Sequence, residues 1–163
     1  MAATTAAAND MSVLRPAEAS ERDQVGRAVG VVLLLGVALI HLLDAVNQYH
    51  EHKYVFVLYV LLMAGSLAVA VFLLRTDSRL AWSLVTLIAG LTLLGFILSR
   101  TTGLPNFDDD IGNWTEPLGL ASVFTEAVAL LLGLYKLVTT PRIERGGLTA
   151  AVVGSDPEIP RAD

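Results

Sequence analysis

Glu126 stands where a carboxylate is costly. It lies inside the apolar run Pro117–Val138, nine residues from its start, so ~13 Å along a helix at ~1.5 Å per residue. Ser122 precedes it by about one turn, and Gly119, Glu126 and Gly133 recur every seven residues with Ala129 beside them. Such a helix carries one narrow stripe of small and polar side chains, which suits packing against neighbours. In a second run, Ala28–Val46, the residues Gly30, Val37, His41 and Asp44 fall at offsets of seven, eleven and fourteen. His41 and Asp44 are three apart and can interact on one face. An intramembrane acid near an imidazole has two roles open to it. It relays a proton or ion, or it locks helix packing through hydrogen bonds. Glu126, His41, Asp44 and Ser122 are the candidates for either role.

More polar groups stand between the apolar runs. Asn47–Lys53 holds His50 and His52 on either side of Glu51, and Asp108, Asp109 and Asp110 follow one another on the same side. Imidazole and carboxylate together suit zinc, copper(II) or nickel, which makes His50, His52, Asp108 and Asp110 a minimal metal-ligand set. Solvated loop residues are the plainer reading. Asn106-x-Asp108-x-Asp110 resembles the start of a calcium loop, but Gly112 comes one place late and Glu116 one place early for an EF-hand. No cofactor is expected. Arg100 ends the third run and Glu116 precedes the fourth, so the pair is placed to clamp the ends of the segment Ser99–Glu116. The aspartates Asp108 to Asp110 and Asp44 are other partners within reach of Arg100, and a snorkelling anchor is its plainer role.

The elements that position these groups follow from composition. Of the 163 residues, 54% are hydrophobic, too many for a soluble domain of this length to cover its surface. They gather in four blocks, about 28–46, 54–74, 80–99 and 117–138. Each approaches the ~20 residues that a helix needs to cross ~30 Å of hydrocarbon. Alternation with period two is absent, and spanning segments must satisfy their own backbone, so the blocks are helices rather than barrel strands. The expected fold is all-α: an up-down four-helix transmembrane bundle over 25–138, with disordered cytoplasmic tails at 1–24 and 139–163. Met1–Gln24 lacks the contiguous apolar core of a signal peptide.

Lys and Arg near the helix ends set the orientation. Arg15, Arg22, Arg27, Arg75, Arg79, Lys136, Arg142 and Arg145 share one side, against Lys53 and Arg100 on the other. Both termini are therefore expected in the cytoplasm, with the chain multi-pass in the plasma membrane. Ser99–Glu116 becomes an external loop, with Pro117 suited to the first turn of the fourth helix and Thr115 or Glu116 to its cap. The net charge of −5 argues against nucleic acid as a partner. The absence of cysteine excludes disulfides, thiol relays and thiolate metal sites.

Ser99–Pro105, Glu116–Gly119 and the acid Glu126 together resemble a group of uncharacterised small four-helix integral membrane proteins of actinobacteria that carry an SRTTGLP…EPLG…E motif. The resemblance covers mainly the second half of the chain. It implies fold and location, with no established activity attached. His50 and His52 lie outside the motif. Other small four-helix families fit poorly. Quinone-linked thiol oxidoreductases need cysteines, and bis-histidine haem needs a second intramembrane histidine. Small multidrug exporters carry their intramembrane glutamate in the first helix.

The functional expectation is a non-enzymatic accessory or structural module whose external loop packs on the bundle. The alternative is a small oligomeric proton- or cation-coupled transporter using Glu126 and His41. No nucleophile–base pair is legible that would make an enzyme. The lipid bilayer is the expected surrounding partner, and assembly as a homo-oligomer or within a larger membrane complex is compatible with the sequence.

Overall fold

The computed structural model describes residues 2–140; the side chains of 2–20, 47, 48, 50 and 51 lie outside that description. Four helices follow in order: α1 (Ala2–Glu51), α2 (Lys53–Arg75), α3 (Arg79–Thr101) and α4 (Pro117–Thr139). Each contains a stretch long and apolar enough to cross a membrane, the one in α1 being Glu21–Val46. The chain is an all-α, four-helix transmembrane bundle. Neighbours in sequence pack on one another, and α1 also packs on α4 to close the ring. The seam between α2 and α3 is the sparsest of the four.

Two stretches depart from the boundaries expected above. The backbone of α1 runs helical from Ala2, through the segment assigned to an N-terminal tail; alanine, the best helix former, is frequent there. The expected tail 139–163 lies outside the described residues from 141 onward. The other departure is the connection Asn47–Lys53. Instead of a loop it is helix up to Glu51, and His52 alone breaks the chain between α1 and α2, at φ −135° and ψ 84°. A one-residue break makes those two helices a tight antiparallel pair.

The bundle's outer surface is apolar, and small and polar residues line several of its inner helix faces. Val32, Leu61, Leu91, Phe124 and Leu131 are exposed. The buried face of α4 is Gly119, Ser122, Glu126, Ala129, Gly133 and Lys136, the seven-residue stripe seen in its sequence. Glycine allows close approach at several crossings, Gly133 and Gly30 among them. A Cβ on Gly133 would lie 2.4 Å from Thr86 Oγ1 and 3.3 Å from its backbone nitrogen, and one on Gly30 would lie 2.9 Å from both Leu73 and Trp82.

The bundle's two halves differ. Toward the end that holds the α2–α3 link, Leu34, Val69, Ala70, Leu73, Ala81, Trp82 and Val85 form a closed apolar core. That end is tied by polar contacts at its rim. Ser78 caps α3 by accepting from the Ala81 amide, and Trp82 Nε1 donates to Asp77. Arg79 donates to the Leu137 and Thr140 carbonyls at the C-terminus of α4, where backbone acceptors lack helical partners. Lys136 Nζ, buried, reaches Asp23 at 2.7 Å and lies over the Trp82 ring. The opposite end, formed by His52 and the loop 102–116, is called the loop end below.

Candidate functional site

At the loop end the helices surround a chamber of about 350 Å³. Its inner wall holds His41 and Asp44 from α1, Tyr59 from α2, and Ser122 and Glu126 from α4. Its rim holds Arg100, Asp110 and Glu116, and its roof is Leu104 and Phe107 from the loop.

The loop gets its shape from one turn. Leu104 and Phe107 exchange both backbone hydrogen bonds, at 2.7 and 2.8 Å. Between them stand Pro105 and Asn106, the latter at φ 55°. Proline with its fixed φ and asparagine in the left-handed region are the central residues of a type II turn. The turn lays Phe107 onto the bundle, where it is 4% exposed. Phe107 meets the edge of the His52 ring at 4.8 Å, and His52 Nε2 hydrogen-bonds Asp109 Oδ2 at 3.2 Å. The loop is thereby tied to the α1–α2 side.

Arg100 ties it to the α3–α4 side. Its guanidinium is 5% exposed and lies over the Phe96 ring, 4.9 Å from the centroid. Nη2 donates to Glu116 Oε2 at 2.6 Å, and Nη1 pairs with Asp110. The Gly112 amide donates to the Arg100 carbonyl. The structure therefore brings the two clamp residues together and pairs Arg100 with one of the aspartates, Asp110, as well. This engagement has a cost for two other readings. Glu116 occupies the N-cap position of α4 but makes no capping hydrogen bond with its side chain, because that carboxylate is turned to Arg100; Pro117 follows in the first turn as expected. Asp110 is likewise drawn away from His52. Of the proposed metal set, Asp110 pairs with Arg100 and Asp108 is exposed, while the side chain of His50 lies outside the described residues. Among the described residues no three His, Asp or Glu side chains gather to hold a metal ion. Burial pushes the Glu116 carboxyl above its ordinary 4.5, helped by the charges of Asp44 and Asp110 and opposed by Arg100.

Deeper in the chamber the intramembrane candidates meet. Glu126 is fully buried. Its Oε1 accepts from Ser122 Oγ at 2.6 Å and lies 3.9 Å from His41 Nε2. Its Oε2 has no hydrogen-bond partner among the described residues. His41 Nδ1 donates to the Val37 carbonyl at 2.9 Å, one turn back. Asp44 accepts from the Tyr59 hydroxyl at 2.8 Å, and the Tyr59 ring packs edge-on against His41 at 5.0 Å. Tyr59 is the functional-site residue that the sequence did not single out. A tyrosine inside an apolar span reads as a wall residue, and its partner belongs to another helix.

Comparison of the chain with protein-family models, curated proteins and solved structures yields no match.

Proposed function

We propose that this chain is a non-enzymatic accessory or structural module of the plasma membrane, with both termini in the cytoplasm and its long loop packed on the bundle at the outer face. One observation carries the reading. A single buried guanidinium holds Asp110 in the loop and Glu116 at the head of α4, while His52 holds Asp109 from the other side. A loop fixed on both sides is a surface of constant shape, and such a surface suits docking by a partner subunit. The Lys/Arg asymmetry supports the orientation. Membership of the actinobacterial group is proposed on the same loop, because its two motif segments, Ser99–Pro105 and Glu116–Gly119, meet through Arg100 and Glu116.

The test is purification of the tagged chain from its native membrane after cross-linking. A stoichiometric companion, or a second copy, should be recovered with the wild type and lost with Arg100→Ala. Recovery of the chain as a bare monomer in both cases overturns the module.

A second reading is favoured by Glu126, whose Oε1 lies 3.9 Å from His41 Nε2 and whose Oε2 has no partner among the described residues: a small proton- or cation-coupled carrier. In liposomes, Glu126→Gln should then abolish flux while the folded protein stays abundant. Wild type that moves neither ions nor cationic compounds removes this reading.

A further inference from the structure

We propose that the chamber is a binding site for a protonated primary or secondary amine bearing a short apolar chain. It is the chamber of the carrier reading, but binding alone is required of it.

The hydrogen-bond inventory leads to this ligand. Four hydroxyls line the chamber, and each gives its proton to the protein. Tyr59 donates to Asp44 at 2.8 Å, Thr92 to the Ile88 carbonyl at 2.6 Å, Ser99 to the Phe96 carbonyl at 2.8 Å and Ser122 to Glu126 at 2.6 Å. His41 Nδ1 faces a carbonyl, which only accepts, so the neutral imidazole carries its proton there and offers a lone pair at Nε2. Arg100 spends both terminal nitrogens on Asp110 and Glu116, which leaves Nε as its one unpartnered group. In the lining there remain the Asp44 carboxylate and His41 Nε2, which accept, and the buried Glu126 Oε2, which accepts when Glu126 is ionised.

Charge points the same way. Asp44, Asp110, Glu116 and Glu126 stand around the chamber with Arg100 as the one permanent cation in its lining. The chamber is short of both donors and positive charge. An ammonium group supplies several N–H donors and a charge together. A quaternary ammonium supplies charge without donors, an alcohol supplies one donor without charge, and an anion worsens the imbalance.

The apolar chain has its own place. Leu58 and Leu62 from α2 and Leu91 from α3 line the chamber at the sparse seam, and Leu58 and Leu91 are exposed toward lipid. A volume of about 350 Å³, at about 30 Å³ per water-sized unit, holds on the order of ten non-hydrogen atoms. An alkylamine of roughly that size fits, with its head at Glu126 and Asp44 and its chain along the seam.

The test uses the full chain in phosphatidylcholine nanodiscs at pH 7. It compares octylamine, octanol and octyltrimethylammonium by calorimetry, with protein-free discs subtracted. Octylamine should bind at least tenfold tighter than either analogue. Glu126→Gln and Asp44→Asn should each weaken octylamine tenfold or more and leave octanol unchanged. Gly95→Leu, whose added side chain starts in open space beside the chamber, should reduce binding of all three. Equal binding of octylamine and octanol overturns the site, and so does octylamine binding unaffected by Gly95→Leu. These two comparisons decide the matter even where an acid variant fails to fold. Binding without flux refutes the carrier alone. Absence of binding refutes this site and leaves the loop clamp standing.

Discussion

Arg100 serves two carboxylates from a position 5% exposed, and the asymmetry of that arrangement is measurable. Arg100→Ala removes both pairs, whereas Glu116→Ala removes one. The first should destabilise by roughly 1.5–3 kcal/mol, the range for charged hydrogen bonds, and the second by less. Protease cleavage between Asn106 and Asn113 should rise in the same order, and the double variant should be no worse than Arg100→Ala. Additive effects would mean that the two side chains do not interact. Glu116 also carries a pH dependence. Its carboxyl titrates above 4.5 in the folded chain, mainly through burial. Its contribution to stability is therefore complete below 4.5 and is lost as pH rises through the raised value. A carboxyl-resolved NMR titration should show that upward displacement. Arg100→Ala should displace it further, because the cation that opposes the rise is gone. At Glu126 the structural role predicts tolerance of Gln, which keeps the Ser122 bond, and a loss of about 1–3 kcal/mol with Leu, which strands the buried hydroxyl. The clamp and the His41–Glu126 approach were legible because each residue sits at a helix end or on one narrow face of its helix. Asp110 was not separable from Asp108 and Asp109, since the choice among them is made by the Pro105–Asn106 turn.

Helix ends and helix faces were legible to different degrees. The limits of α2, α3 and α4 agree with the apolar blocks to within about two residues, because lipid solvation leaves no ambiguity about where a span stops. The reach of α1 was not legible: Asn47 to Glu51 are polar, and polarity marks the membrane edge rather than the end of a helix. Face packing gives a sharper test. Gly133→Ala places a carbon against Thr86 side chain and backbone, so α3 or α4 must shift, at about 1–3 kcal/mol. Gly65→Ala meets nothing within 4 Å and should be neutral or stabilising by about 0.5–1 kcal/mol, since alanine favours helix. Thermal unfolding of the two variants in one detergent compares them directly. Equal melting temperatures would show that the α3–α4 crossing has room for a methyl group at Gly133.

For the whole molecule the first question is its direction in the membrane. The chain has no cysteine, so single cysteines report without background. Asn106→Cys should react with an impermeant thiol reagent on intact cells, and Ser78→Cys should react only after permeabilisation. The opposite pattern reverses the orientation.

The closed core around Trp82 and Leu73 has an electrical consequence. With water in the chamber, the insulating thickness of the protein shrinks to the sealed half, and the membrane field is concentrated there. A charge at Glu126 then stands near the potential of the loop side, although it lies ~13 Å along its helix. A voltage of 100 mV would otherwise be worth about 2.3 kcal/mol for a charge crossing the whole bilayer. Occupancy of the chamber by a cation should accordingly change by much less than tenfold when a potassium diffusion potential of that size is imposed on vesicles. A steep response would place part of the field above Glu126.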